Sequence, residues 1–276
     1  MIAGHRPICP EEPAASRLFR FADNARMTDD DLLRYSRHLL LEGVGVEGQE
    51  RIARSHALVI GAGGLGSPVA LYLGTAGVGR LTLVDPDHVD LTNLQRQVAH
   101  AMDRIGSPKA ESARRAVAAL NPNVQVEPIV ARADDALLDR LVPQADVVLD
   151  CTDNFATRQA INAACVRHGK PLVSGAAIRF DGQVAVFDSR RPEAPCYACV
   201  FPPTEAPEET RCATLGVFAP LVGIVGSMQA AEALKLLCGA GEPLAGRLLM
   251  LDARSMEWTA LQTPRRHGCA VCGALR

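Results

Sequence analysis

Ala57-Leu58-Val59-Ile60 runs directly into Gly61-Ala62-Gly63-Gly64-Leu65-Gly66, and Ser67-Pro68 follows at once. A short apolar run with β-branched members reads as a buried strand. The Gly-x-Gly-x-x-Gly spacing at its end marks a turn with Cβ atoms missing where a ligand or another backbone must come close. Pro68, at a tolerated first-turn position, opens a helix that ends near Gly77. Strand, glycine turn and helix in that order put backbone N–H groups and the positive end of a helix dipole at one point, which suits a phosphate. Gly61, Gly63, Gly64 and Gly66 are therefore candidate nucleotide-binding positions. A tight turn with no ligand is the competing explanation.

Outward from this stretch the same alternation continues. Leu81-Thr82-Leu83-Val84 reads as a second strand ending on Asp85, Pro108 to Leu120 as a helix stopped by Asn121-Pro122, and Val124 to Val130 as a third strand. Asp134 to Leu141 is a short helix, Val147-Val148-Leu149 a strand, Phe155 to His168 a helix and Leu172-Val173 another buried strand. This order implies an α/β fold with a mostly parallel, doubly wound, Rossmann-like sheet. Upstream, Thr28 caps a helix that starts with Asp29-Asp30-Asp31 and continues through Arg34-Tyr35-Ser36-Arg37, acidic residues suiting that end of the helix dipole. Beyond Gly175 the pattern changes. Gln183 to Phe187 alternates as an antiparallel strand does, Pro202 to Glu209 is an exposed loop, and Val217 to Cys238 is a long helix. Arg247 to Asp252 and Glu257 to Leu261 form a late hairpin, giving a C-terminal antiparallel extension. No linker divides these elements, so one domain is expected over 28–276, preceded by a flexible extension, 1–27, that has no apolar stretch of the export-signal kind.

Composition narrows the function classes. Of 276 residues, 48% are apolar but only 4% aromatic, so the core is built from Ala, Val, Leu and Ile, as suits buried parallel strands. A formal net charge of −2 argues against nucleic acid as a partner, which would bring a basic excess. No segment reaches the ~20 apolar residues of a membrane helix; Val217 to Ala231 comes nearest and reads as a buried core helix. Nine cysteines is an odd number for a disulfide framework. The expected compartment is cytoplasmic, with reduced thiols, and metal binding or catalysis accounts for the cysteines better than disulfides do.

Asp85 stands 19 residues beyond Gly66 at a strand end, where a carboxylate can hold ribose hydroxyls. So far NAD fits as well as ATP. The next stretch shifts the balance: Asp85-Pro86-Asp87 leads to Thr92-Asn93-Leu94-Gln95-Arg96-Gln97 and then to Lys109, 13 residues beyond Arg96. Two cations beside a nucleotide suit a triphosphate, since Arg clamps phosphate oxygens bidentately and Lys adds a point charge. Both can stabilise pyrophosphate as it leaves an attacked α-phosphate. Asp153, within Asp150-Cys151-Thr152-Asp153-Asn154 at another strand's carboxyl end, can hold Mg2+. Surface salt bridging is the rival explanation of these charges.

Cys196-Tyr197-Ala198-Cys199 and Cys269-Ala270-Val271-Cys272 are two Cys-x-x-Cys knuckles. Four thiolates so spaced suit a tetrahedral structural Zn2+, which gives a zinc-stapled tail; redox dithiols are the alternative. Cys212, beside Arg211 and ahead of the long helix, is a candidate covalent cysteine, because a nearby helix N-terminus and an Arg lower a thiol pKa. Cys9, Cys151, Cys165 and Cys238 read as tail or core thiols, and His38 as structural.

In order along the chain, Arg34-Tyr35-Ser36-Arg37, the Gly61 to Gly66 loop, Asp85-Pro86-Asp87, Asn93-Leu94-Gln95-Arg96-Gln97, Lys109, Asp150 to Asn154, Ser174-Gly175-Ala176-Ala177 and the two knuckles resemble the HesA/MoeB/ThiF family of ubiquitin-activating-enzyme-like adenylyltransferases. The resemblance implies that the glycine turn, notably Gly64, binds ATP and that Asp85 takes the ribose. It implies phosphate binding by Asn93, Arg96 and Lys109, with Asp87 and Thr92 beside them, and an Mg2+ link for Asp153, with Asn154 adjacent. It further implies that Arg37 reaches the ATP of the opposite subunit, hence a homodimer with shared active sites. The family has the four-cysteine zinc site, and some members use a cysteine at the place of Cys212 for a thioester or acyl persulfide.

The reaction so implied is ATP-dependent adenylylation of the C-terminal Gly-Gly carboxylate of a small ubiquitin-like sulfur-carrier protein (MoaD- or ThiS-like). That prepares the carrier for thiocarboxylation in molybdenum-cofactor, thiamine or related sulfur biosynthesis. Only four residues follow Cys272, so the sulfur donor, a desulfurase or rhodanese, is expected to be a separate chain. Such an enzyme positions groups and stabilises charge, which explains why no Ser-His-Asp set is evident. The rivals are adenylation of a peptide or a tRNA threonylcarbamoyl group, an NAD-dependent oxidoreductase, and a non-catalytic zinc-stapled interaction module.

Overall fold

Strands β1 (His56–Ile60), β2 (Arg80–Val84), β3 (Gln125–Ile129), β4 (Val147–Asp150) and β5 (Leu172–Ile178) run parallel in a computed structural model, which describes residues 27–205 and 215–273. Strands β6 (Asp181–Phe187), β7 (Arg247–Asp252) and β8 (Glu257–Gln262) add on antiparallel. Together they form one eight-stranded sheet in the order β3-β2-β1-β4-β5-β6-β7-β8. The expected parallel sheet with an antiparallel extension is thus observed.

The helices are α1 (Asp29–Arg34), α2 (Ser36–Leu39), α3 (Gly45–Arg54), α4 (Gly66–Thr75), α5 (Lys109–Leu120), α6 (Asp135–Leu141), α7 (Phe155–His168), α8 (Tyr197–Val200) and α9 (Ala219–Cys238). Strand β1 shows why both faces need cover, since all its residues are buried and alternate residues point to opposite sides. Ala57 and Val59 pack with Leu73 of α4, Val117 of α5 and Leu221 of α9. Leu58 and Ile60 pack with Leu138 of α6 and Ile161 of α7. Leu73 and Leu221 are fully buried, so cutting either to Ala costs about 3 kcal/mol. Helix α9 is long and apolar enough to cross a membrane by length and composition, but here Leu221, Val225, Ala230 and Ala233 are buried in the core.

Four local features differ from the sequence reading. The first helix breaks at Tyr35, whose backbone leaves the helical region at φ −97° and ψ 11°. The break turns the ring inward, where its hydroxyl accepts a hydrogen bond from Asn121 Nδ2 at 2.9 Å. A Cβ on Gly77 would lie 2.4 Å from that hydroxyl, so the ring seats on a bare backbone. Helix α3 carries no motif that announced it. Strands β5 and β6 form a longer hairpin than expected, pairing from Leu172 with Phe187 to Ile178 with Asp181; within it Gly175 lies against Gln229 of α9, whose Oε1 would lie 2.3 Å from a Cβ there. Val217 does not start α9; it bridges to Arg179 in the hairpin turn.

Candidate functional site

The strand order reverses between β1 and β4. In a doubly wound sheet the crevice at the carboxyl ends of such strands receives the ligand. Three segments leave there: the glycine loop after β1, Asp85 after β2, and Asp150 to Asn154 at the end of β4.

The loop's glycines are held for different reasons. Gly61 has φ +96°, and a Cβ there would sit 2.7 Å from the Cys151 carbonyl oxygen. A Cβ on Gly66 would fall 1.8 Å from the Gly61 oxygen, and one on Gly64 would press on Val222 at 3.1 Å. Packing alone therefore explains these three. Gly63 is different: the nearest atom to a Cβ there is Gln97 Nε2 at 3.6 Å, an ordinary contact. The Gln97 side chain is 4% exposed, and its Oε1 has no hydrogen-bond partner among the described residues. A buried polar atom left so is costly until a partner arrives. No side chain caps the N-terminus of α4; Ser67 N–H donates to the Gly63 carbonyl at 2.9 Å and Pro68 has none, which leaves the Gly66 N–H at that end for an anion. A bare Cα and a helix end without a side-chain cap fit a nucleotide phosphate, and the orphaned Gln97 Oε1, an acceptor, fits a donor such as a ribose hydroxyl or the adenine amino group.

Asp85 is 5% exposed and ties the loop down. Its Oδ2 accepts from Ala62 N–H at 2.7 Å and its Oδ1 from Asp87 N–H at 2.8 Å. Burial pushes its carboxyl above the usual range, against the pull of those two N–H groups and of Lys109. Each oxygen keeps a second lone pair for a ribose hydroxyl. Lys109 opens α5, and its ammonium lies 2.9 Å from Asp87 Oδ2. Thr92 and Asn93 sit in a short 3-10 turn capped by Asp90, whose Oδ1 accepts from the Thr92 hydroxyl at 2.6 Å while Asn93 Oδ1 accepts from Asp90 N–H at 3.2 Å. Arg96 donates to the Thr92 carbonyl at 3.1 Å and has no ion pair among the described residues. Salt bridging therefore accounts for Lys109 and Asp87 in the free chain, but not for Arg96.

At the end of β4, Asp153 is exposed, and Asn154 caps α7 by accepting from Thr157 N–H at 2.9 Å. Buried groups that sequence reading missed hold this segment. Asp150 accepts from the Thr152 hydroxyl at 2.7 Å and the Ser174 hydroxyl at 3.0 Å, with Arg158 Nη1 at 3.9 Å. Arg158 lies four residues into α7 and nothing in its spacing marked it; Asp150 was visible only as part of its motif. An exposed carboxylate on so firmly held a segment fits a divalent cation. Arg37 is exposed on α2 and makes no hydrogen bond or ion pair among the described residues, whereas His38 shares a hydrogen bond with Gln49 at 3.0 Å.

The two knuckles meet. The Sγ atoms of Cys196, Cys199, Cys269 and Cys272 all lie within 4.8 Å of one another. The separations are 3.9 Å for Cys196–Cys199, 3.7 Å for Cys196–Cys269 and 3.5 Å for Cys199–Cys272. A tetrahedron of ~2.3 Å Zn–S bonds has edges of about 3.8 Å, so the set fits zinc. Asn162 of α7 braces the first knuckle, its Nδ2 3.7 Å from Cys196 Sγ and its Oδ1 accepting from Tyr197 N–H at 2.8 Å. Burial pushes the Cys269 thiol up, but N–H groups of Cys272 and Val271 outweigh it and bring the thiol down to about 7. Cys151, Cys165 and Cys238 are buried core thiols. Cys212 lies outside the described residues, as do Cys9 and the 206–209 part of the Pro/Glu loop.

The model of the ThiF family matches residues 35–271. The chain is 45% identical over 249 residues to the molybdopterin-synthase adenylyltransferase of Escherichia coli K12, covering 90% of this chain and 99% of that one. It is 46% identical over 247 residues to the sulfur carrier protein ThiS adenylyltransferase of the same organism, covering 90% and 97%. It is 49% identical over 243 residues to the SAMP-activating enzyme E1 of Haloferax volcanii, covering 87% and 88%. Among solved structures, Escherichia coli MccB in complex with N-formylated MccA has the same fold, with a TM-score of 0.76 at 24% identity over 87% of this chain and 75% of that one.

Proposed function

The chain belongs to the ThiF family and is an adenylyltransferase, and from that premise we propose how its crevice serves the reaction. Its acceptor is the C-terminal carboxylate of a small ubiquitin-like sulfur carrier, as the names of its relatives indicate for them. Those relatives also point to molybdenum-cofactor and thiamine biosynthesis. The observation that carries the reading is the bare Gly63 Cα beside the unpartnered Gln97 Oε1 at the switch point of the sheet.

In this reading the loop N–H groups receive the phosphates, Gln97 Oε1 accepts from a hydroxyl or amino group of the nucleotide, and Asp85 orients the ribose. A carboxylate oxygen of the carrier attacks the α-phosphorus, the bond to the β-phosphate oxygen breaks, and an acyl-adenylate and pyrophosphate result. Lys109 leaves Asp87 for the phosphates, and with Arg96 it stabilises the charge that moves onto pyrophosphate. Asp153 would hold Mg2+, which adds charge compensation on the phosphates when bound. The four knuckle cysteines would hold a structural Zn2+ that staples the tail. Arg37, unengaged among the described residues, acts in the crevice of a second copy in a homodimer. A separate desulfurase or rhodanese supplies sulfur. Residues 28–276 act as one adenylyltransferase unit after an N-terminal extension, in the cytoplasm, where the thiols stay reduced.

Pyrophosphate exchange tests this. Label moves from pyrophosphate into ATP only when the correct carrier is present; exchange with no carrier, or preference for NAD over ATP, overturns it. Adenylylation needs no cysteine nucleophile, so Cys212→Ala keeps exchange. Loss of thiocarboxylation in that variant would assign Cys212 the covalent step.

A further inference from the structure

Behind the glycine loop lies an imidazole with no part in the reaction above. His100 is 8% exposed. Its Nε2 is 2.9 Å from the Ala62 carbonyl oxygen, and its Nδ1 is 2.9 Å from Ser112 Oγ. A carbonyl only accepts, so Nε2 carries the proton and Nδ1 of the neutral ring accepts from the Ser112 hydroxyl. Burial lowers the imidazole pKa, the bond to Ala62 opposes this, and the charges of Lys109 and Arg104 reinforce the lowering, so the ring stays neutral.

Ala62 is thereby held at both ends, since its N–H already donates to Asp85 at 2.7 Å. No peptide among the described residues is cis, so in the Ala62–Gly63 peptide the Gly63 N–H points opposite to the carbonyl that His100 engages, away from the buried imidazole. On α5, Ser112 stands three residues after Lys109, hence on the same side of the helix. Arg104 steadies that turn by donating to the Ser112 carbonyl at 2.7 Å. One turn before the imidazole, Gln97 accepts from His100 N–H through its carbonyl at 3.0 Å and lines the same wall.

We infer that His100 is a positioning residue for the nucleotide: by bridging Ala62 of the glycine loop to Ser112 of α5, it sets the Gly63 N–H and the Lys109 ammonium in one frame for a phosphate. Its ligand rests on the adenylylation reading. The bridge works on phosphate binding and leaves the carrier's docking untouched.

The test uses the full chain with His100→Leu, His100→Gln and Ser112→Ala. Binding of a fluorescent N-methylanthraniloyl ATP is measured alongside carrier-dependent pyrophosphate exchange. His100→Leu raises the analogue's Kd and the KM for ATP by roughly tenfold, the size of one buried hydrogen bond, with the KM for carrier unchanged. His100→Gln, which keeps an N–H donor, recovers most of the affinity, and Ser112→Ala loses affinity severalfold. Unchanged nucleotide Kd in Ser112→Ala overturns the coupling, and this variant decides the matter even where His100→Leu does not fold. Equal loss of ATP and carrier affinity in His100→Leu reduces the residue to a packing role and also overturns it. Nucleotide binding is read without carrier, so a failed exchange assay sinks the carrier reading alone.

Discussion

Lys109, only 8% exposed, rests its ammonium 2.9 Å from the carboxylate of Asp87, whose side chain is 65% exposed. The cation is committed to the interior while its partner stays wet, so the pair can open toward the crevice at little cost. Asp87→Asn removes the partner and leaves a buried charge. The free protein then loses about 1 kcal/mol, since solvent screens the exposed half of the pair. ATP supplies a replacement, so the rise in Tm on adding ATP is larger in Asp87→Asn than in wild type. Thermal melts with and without nucleotide measure this; an equal rise in both would show that Lys109 never leaves Asp87.

Lys109→Ala and Arg96→Ala each lower kcat for pyrophosphate exchange by roughly 10²–10³-fold, the range seen when one preorganised charge-stabilising group is lost. Among the described residues the Arg96 side chain makes only one hydrogen bond, to the Thr92 carbonyl, so Arg96→Ala melts close to wild type. A parallel fall in Tm and activity in Arg96→Ala would mark it as structural.

The cysteine cluster predicts one zinc per chain by elemental analysis and none in Cys199→Ser. Chelation lowers Tm, because the metal joins the loop of Cys196 and Cys199 to the tail of Cys269 and Cys272. Thiols must deprotonate to ligate, so zinc is released as pH falls, read with a chromogenic zinc indicator.

His56 makes a pH prediction for the fold alone. Nδ1 lies 2.9 Å from the Gln144 carbonyl oxygen, Nε2 lies 2.9 Å from Thr82 Oγ1, and burial lowers the imidazole pKa below the ordinary 6.5. The unfolded chain therefore binds more protons in the window just under 6.5. Stability is complete above that value and falls as pH drops toward the folded one. In urea melts over this window, His56→Gln shows a shallower loss than wild type.

Arg37 predicts complementation. Arg37→Ala and Lys109→Ala are each inactive, but random mixing of subunits restores about a quarter of the wild-type sites, because half the dimers carry one intact crevice. No recovery on mixing would remove Arg37 from the partner's crevice.

Much of this was legible along the chain. The run from Ala57 to Pro68 announced strand, turn and helix because its three signals are local: apolar β-branched residues, glycine spacing and an N-terminal proline. The knuckles were legible for the same reason, since each pair of thiols lies within a few residues. Tyr35 was not: its ring leaves the helix for Asn121, 86 residues away, and no local preference encodes that. Arg158 and Gln229 were hidden too. Each is an ordinary helical residue until the fold sets it against Asp150.

By itself, the sequence pointed to a nucleotide phosphate site after the first strand, with two cations and a strand-end carboxylate beside it, and to two thiol pairs spaced for a metal. These follow from residue type and short spacing. Only the tertiary structure decided which glycine of Gly61 to Gly66 is bare for a ligand, since Gly61, Gly64 and Gly66 are already demanded by Cys151, Val222 and the loop's own backbone. Only it left Gln97 Oε1 without a partner among the described residues and placed His100 between loop and helix. Packing and long-range hydrogen bonds make those distinctions, and they exist only once the sheet has brought distant segments together.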